Sequence, residues 1–536
     1  MATHTDTNNM CAMKQILILL FLLLSLNAYS QEEADSTGAR LLSDITYKAE
    51  LSATAGSGDH APLWLHSNRF GLPSAKPNSG YLRGGLFRDA SADSLHRWRY
   101  GYGLDVAVAA GHTSHLIIQQ AYFDVNWLHG RLSVGAKERP MELKDNRFSS
   151  GGQTLGINSR PIPQVRLELP EYWTVPLTRG WVQIKGHIGY GMMTDKNWQH
   201  DFTGGTKQYT DNALFHSKAG YLRIKHEDYD YPLSLELGLE MACVFGGNTY
   251  NHPNYPEIEN GKGLKSFLNA FIPGGGDSYE KGSVYENTEG NHLGSYLIRV
   301  NYEKKKWKSS LYFEKFFEDQ SGMFGVDYDG YGSGSAWNSH SERKYLLYDF
   351  KDMLLGWDLE LKEKRWVRNL LLEYLYTKYQ SGPIYHDHNP GNSDHIGGID
   401  EYYNHYIYPG WQHWGEAIGN PLYYSPIYND DGMLRFKNNR FMAFHLGVGG
   451  QPTKEIAYRL LASWEEGLGT YRQPYTKKKH QTSFLLEGTY TPQRPSLRGW
   501  SASLGLGLDS GDIIGENFGC NLTIRKQGVL TSGHKR

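Results

Sequence analysis

Cysteine is nearly absent: Cys11, Cys243 and Cys520 are the only three in 536 residues. Two of them follow the expected export signal, so disulfide stapling is not how this chain is stabilised. After residue 30 no apolar run approaches the roughly 20 residues that a membrane-spanning helix needs. The formal charge is -2, which gives no argument for nucleic acid as a partner. No Gly-x-Ser-x-Gly elbow and no His-Glu-x-x-His helix occurs. Gly101-Tyr102-Gly103 lies inside a strand-like segment, without phosphate-binding context. No repeat of solenoid or propeller length is present.

What is present is alternation. From Pro232 to Phe245, Leu233, Leu235, Leu237, Leu239, Met241, Cys243 and Phe245 share one parity, and Ser234, Glu236, Gly238 and Glu240 share the other. Strand side chains alternate faces, so one face is apolar over a height of about twenty ångströms, and the other carries two carboxylates. This is the pattern of a lipid-facing barrel strand. A mean hydropathy of -0.57 would usually suggest a soluble protein. Barrels defeat that test, because their strands are only half apolar. Glycine, at 61 residues, exceeds its usual share of about 7%, which suits tight turns and closely packed lumens. The 38 Tyr and 14 Trp suit aromatic girdles at two membrane interfaces.

About eighteen strand-like segments follow one another, from 45-55 and 81-88 to 499-508 and 517-526. Some neighbours are joined by short polar turns, such as Glu303 to Lys306 and Lys362 to Arg365. Others are separated by long stretches rich in Gly, Tyr, Asn and Asp, at 246-292, 319-352 and 379-439. Short turns on one side and long loops on the other are the asymmetry of outer-membrane barrels. An export signal is expected at 1-30. Lys14 supplies its charge, Ile16 to Leu26 its apolar stretch, and Ala28-Tyr29-Ser30 the cleavage site. Residues 1-12 read as an upstream start extension, with Met10 and Met13 as alternative initiators.

The expected fold is therefore all-β: a transmembrane antiparallel β-barrel of about 18 strands over 45-526. A linker at 31-44 precedes it and a basic tail at 527-536 follows. Helical or irregular plug segments are expected near 59-80 and 139-164. In the first, Ala61 to Leu72 suggests a short helix ended by Gly71. In the second, Pro161 and Pro163 force an extended path into the next strand.

These segments carry a resemblance. Pro-x-Trp-Leu-x-x-Asn-x-x-Gly at Pro62 to Gly71 and Asn-x-Arg-Pro-Ile-Pro-Gln-Val at Asn158 to Val165 resemble the capsule assembly protein Wzi family. So do Tyr402-Tyr403-Asn404-His405, Gly410-Trp411 and Ile418-Gly419-Asn420-Pro421-Leu422. The resemblance implies an outer-membrane barrel plugged by short helices on its periplasmic side. It implies that the barrel binds capsular or exopolysaccharide and organises it on the cell surface, without catalysis or cofactor. Outer-membrane lipid and the polysaccharide export machinery are the further partners expected. The chain departs from barrel habit at its end, where Asn521 to Arg525 leads into a basic tail with no terminal aromatic.

Loop 379-439 is the richest chemical stretch. Tyr385-His386-Asp387-His388, Asp394-His395, Asn404-His405 and Trp411-Gln412-His413-Trp414 follow one another. The irregular His and Asp spacing points away from a metal site. Sugar rings offer apolar faces to Trp, and Asn and His serve their hydroxyls, so Trp411, His413, Trp414, Asn404 and Asn420 are the expected glycan contacts. Trp64, Asn68, Asn158 and Arg160 are expected to hold the plug and lumen. Two alternatives stand beside this reading. An eighteen-strand barrel is wide enough for an aqueous channel. An outer-membrane enzyme acting on lipid or glycan has only Glu236 and Glu240, which share one strand face, in its favour.

Overall fold

The computed structural model describes residues 41–531, apart from 94–95, 227–230, 273–289, 319–324, 329–334, 336–342, 347–350, 386–395 and 400. The expected signal at 1-30, most of the linker, and His386, Asp387, His388, Asp394 and His395 lie outside the described residues. One 18-stranded antiparallel sheet dominates. Its strands are β1 (Ile45–Ser57), β2 (Ser79–Arg88), β3 (Trp98–Ala110), β4 (Leu116–Trp127), β5 (Gly130–Ala136), β6 (Gln164–Thr174) and β7 (Val182–Met192). They continue as β8 (Leu214–Ile224), β9 (Leu233–Phe245), β10 (Asn291–Glu303), β11 (Trp307–Glu318), β12 (Met353–Leu361) and β13 (Asn369–Tyr376). The last five are β14 (Phe441–Gly450), β15 (Ile456–Gly469), β16 (Pro474–Tyr490), β17 (Trp500–Gly511) and β18 (Asn517–Thr531).

Each strand pairs with its neighbour in the chain, and β18 closes on β1 in a register running from Ile45↔Thr531 to Ser57↔Phe518. Closure leaves no unpaired sheet edge, the condition for a sheet to cross lipid. Every expected strand is present. The differences are at ends: β16 begins at Pro474 rather than near 480, and β18 runs to Thr531, through the start of the expected tail. Those residues continue the strand because β1 offers a partner for them.

The two faces separate as the alternation requires. On β9, Leu233, Leu237 and Leu239 face outward and are exposed. Glu236 and Glu240 face inward, accepting hydrogen bonds from Asn301 Nδ2 (3.0 Å) and the Tyr221 hydroxyl (2.6 Å). At the end with the short turns, Trp98, Trp127, Trp181, Trp307 and Trp500 stand outward and exposed. They form an interfacial girdle. No described helix is long and apolar enough to cross a membrane; the strands cross instead.

The long connections, those after Ser57, Ala136, Met192, Phe245, Glu318 and Tyr376, all begin at the opposite end, which is therefore extracellular. Leu237→Arg, at an outward position well within β9, should destabilise the inserted barrel by roughly 2–4 kcal/mol, and Glu236→Gln beside it by far less. Urea unfolding in lipid vesicles measures both, and equal effects would reverse the faces.

Candidate functional site

Three of the extracellular segments do not stay outside. Segments 58–78, 137–163 and 401–440 fold into the lumen and interlock there. Asn158 Oδ1 accepts from Asn68 N (3.0 Å), and Asn158 Nδ2 donates to Ala417 O (3.3 Å). Asn68 Nδ2 reaches the Ser150 carbonyl (2.9 Å), and Asn420 Nδ2 the Gly151 carbonyl (3.1 Å). Trp411 Nε1 donates to Thr154 O (3.0 Å), and Tyr403 stacks on Tyr423 with ring centroids 3.9 Å apart.

Lumen carboxylates hold this plug by its backbone. Asp509 accepts from Leu63 N (3.0 Å), Glu373 from Ser150 N (2.7 Å) and the Ser149 hydroxyl (2.6 Å), Glu314 from Gln153 N (2.9 Å), and Glu318 from Tyr403 N (2.6 Å). Trp64 Nε1 donates to Ser463 Oγ (3.1 Å), and Arg69 pairs with Glu487. The plug reaches the periplasmic half, where Arg459 donates to the Arg147 carbonyl (3.0 Å). A Cβ on Gly447 of β14 would lie 2.7 Å from Phe148 Cβ, so glycine is what lets the plug seat there.

Trp64, Asn68, Asn158 and Arg160 are all in plug or lumen contacts. Helix α1 (Leu63–His66) is shorter than the sequence suggests, ending before Gly71. Ser67 is extended and Asn68 turns left-handed (φ 56°), carrying its amide to the Ser149 and Ser150 carbonyls. The plug hangs from the extracellular end and is mostly irregular. The plug thus occupies the periplasmic half, as the resemblance implies, but is tethered from the other rim and has little helix beyond α1.

The expected glycan residues separate. Trp411, His413 and Asn420 are fully buried, so none can stack on or bond a glycan outside the barrel. Loop 379-439 is not a free surface loop over its second half: its aromatic rings have no core but the lumen in which to bury. His413 Nδ1 donates to the Arg160 carbonyl (2.9 Å), so Nε2 accepts from Thr194 N (3.2 Å). Burial holds His413 below its ordinary range and pushes His405 down to about 4, so both are neutral near pH 7. Asn404 is half-buried and closes a reciprocal pair with Phe436 (2.8 Å each way). Among the described residues, no group of three or more His, Cys, Asp or Glu could hold a metal.

Trp414 stays at the extracellular surface as a half-buried ring. It sits in a tight hairpin with φ 57° beside Gly415 at 83°, a backbone region that bulky residues rarely occupy. Asp195 Oδ2 accepts from Trp414 N (2.9 Å), and the Arg160 guanidinium lies 4.5 Å from the indole. Burial lowers Arg160 to about 10, with Glu416 and Asp195 partly offsetting it, so the cation persists.

Around Trp414 lie aromatics the sequence reading missed. A Cβ on Gly415 would meet Trp198 at 2.6 Å. Trp198 stacks on Phe202 (4.9 Å) within α2 (Lys196–Phe202), and His200 meets Tyr209 edge-on (5.5 Å). Tyr209 stacks on Tyr250 (5.1 Å) across a small sheet of Tyr209–Asp211, Asn248–His252 and Tyr255–Glu259. Thr210, Thr249 and Ile258 fill its buried face, leaving Tyr209, Tyr250, Asp211, Asn248 and Glu257 on the other. The alternation in 248–259 was the available signal.

Between the plug and the β5–β8 wall remains a chamber of about 330 Å³, lined by Arg131, Arg139, Arg166, Glu168 and His187 among others. Glu168 bridges Arg131 (3.2 Å) and Arg166 (2.8 Å).

No family model and no curated protein matches the chain by sequence. By structure it is similar to Wzi of Escherichia coli, an outer-membrane protein involved in group 1 capsule assembly and a carbohydrate-binding β-barrel. The TM-score is 0.52 at 14% identity, over 92% of this chain and 86% of that one. OccK5 (OpdH) of Pseudomonas aeruginosa is similar at TM-score 0.44 and 8% identity, over 90% and 97%. OccAB4 of Acinetobacter baumannii is similar at 0.44 and 11%, over 91% and 99%. The chain is an outer-membrane β-barrel.

With the lumen filled, full-length protein in planar bilayers should pass little current. Glu373→Ala, which frees Ser149 and Ser150, removes charge-assisted bonds of about 1.5–3 kcal/mol each and should add larger, fluctuating openings. Large steady currents from the intact protein would favour the channel reading.

Proposed function

We propose that this barrel binds extracellular polysaccharide and helps attach or organise it at the cell surface, without catalysis. The observation that carries the reading is the aromatic platform at the extracellular mouth: Trp414, Trp198 and Phe202 on one side, the stacked Tyr209 and Tyr250 on the other. Such rings offer flat apolar faces to pyranose rings. Asp211, Asn248 and Glu257, on the same sheet face as the tyrosines, supply acceptors and a donor for hydroxyls. The strained turn of Trp414 supports the same role, since its φ of 57° holds the indole at the surface rather than in the core.

The rigid plug beneath preorganises these rings, and a repeating polymer would engage many copies weakly, gaining retention through avidity. The likeness to a carbohydrate-binding barrel in fold agrees with this reading. Export by the segment 1-30 and contact with export machinery belong to the same proposal.

Trp414→Ala with Tyr250→Ala should leave the barrel folded and weaken binding to purified surface polysaccharide on a glycan array. Each lost stacking contact is worth about 1 kcal/mol, or roughly fivefold. Cells carrying the double variant should shed polymer into the medium. Unchanged array binding and retention, with the variant confirmed at the surface, would reject the platform.

A further inference from the structure

The outward face of β13–β16 changes chemistry in register from row to row. One row crosses Leu372, Leu446, Ala462 and Phe484, above an aliphatic row of Leu370, Val448, Leu460 and Leu486. The next crosses Tyr374, Phe444, Trp464 and Thr482, with Tyr374 and Phe444 centroids 5.2 Å apart and Phe444 and Trp464 6.2 Å apart. Above lie Tyr376, Met442, Glu466 and His480, and His480 stacks on Trp464 (5.7 Å). Lys378, Arg440 and Lys478 follow at the extracellular rim.

That these rows face outward follows from their neighbours. Glu373, His445 and Ser463, one residue away on the same strands, face the plug and bond Ser149, Phe148 and Trp64. Phe444 is 50% exposed, an open ring that in water would be a defect.

The rim carries excess positive charge. Lys378 and Lys478 both engage Glu466, the latter at 3.2 Å. Arg440 forms no ion pair among the described residues; its guanidinium lies 3.6 Å from the Tyr471 ring, and its Nε donates to the Lys378 carbonyl (3.1 Å). Three basic side chains, two of them sharing one carboxylate, thus lie beyond the Tyr376 to His480 row, with an aromatic row and a largely aliphatic one beneath it. The order aliphatic, aromatic, cationic matches acyl chain, interface and headgroup of a lipid leaflet seen from inside the membrane.

We infer that Lys378, Arg440 and Lys478 form a binding site for the phosphate headgroup of an outer-leaflet lipid, with its acyl chains lying on Tyr374, Phe444 and Trp464. Arg and Lys give phosphate oxygens charge-assisted bonds, and the low dielectric beside the acyl region strengthens them. The rows below supply the apolar contact that a free phosphate could not use.

The test uses the full chain in maltoside micelles doped with phosphatidic acid, with bound lipid counted by native mass spectrometry. The wild type should retain phosphatidic acid in clear preference to phosphatidylcholine. Lys378→Gln/Arg440→Gln/Lys478→Gln should lose most of that retention, and Lys378→Arg/Lys478→Arg should keep it. Arg440→Gln alone, the least intrusive change, should lose part of it, and heat-modifiable gel migration reports folding of each. Equal retention by the glutamine variants, or equal uptake of the two lipids by the wild type, would overturn the site. Full displacement of the lipid by an equal concentration of inorganic phosphate would overturn the assignment to lipid.

Discussion

The lumen carboxylates and the plug backbone depend on one another. Glu314, Glu318, Glu373 and Asp509 point away from lipid into a space that would otherwise hold water, and each accepts a plug N–H there. The irregular plug has no ladder of its own, so those carboxylates satisfy amides that would otherwise be buried unpaired. Removing either partner leaves the other uncompensated, which makes the plug part of the fold rather than an inserted lid.

The extracellular surface inherits its order from that arrangement. Trp414 stands at the surface because its hairpin neighbours, Trp411, His413 and Ala417, are bonded or packed inside. The small tyrosine sheet joins the same body through Gln199, whose Oε1 accepts from Thr210 N (3.0 Å) while its Nε2 donates to Asp195 (3.0 Å), the residue that also holds Trp414. A platform so supported loses little conformational freedom on meeting a polymer.

Outside, the wall meets a different solvent at each height. The Trp girdle marks the periplasmic interface, and on β13–β16 the extracellular interface is marked by an aromatic row and a cationic rim. Two gradients therefore run along one set of strands, one toward the plug and one toward lipid. Strand alternation keeps them separate, since neighbouring residues never share a face.

Strand number, strand parity and the two unequal ends were legible in the sequence, because each depends on local alternation and turn length. Leu237 and Glu236 could be assigned to opposite faces from their parity alone. The fate of the long segments was not legible. Trp411 and Trp414 are three residues apart in similar company, yet one is fully buried and the other reaches the surface. That difference comes from partners far away in the chain, Thr154 for one and Asp195 for the other. Likewise nothing in Trp198, Tyr209 and Tyr250 announces a shared platform until the loops holding them converge. The sequence by itself determined the barrel, because lipid imposes a period of two on every strand. Only the tertiary structure decided which loop aromatics fill the lumen and which face outward, because that depends on contacts between segments hundreds of residues apart.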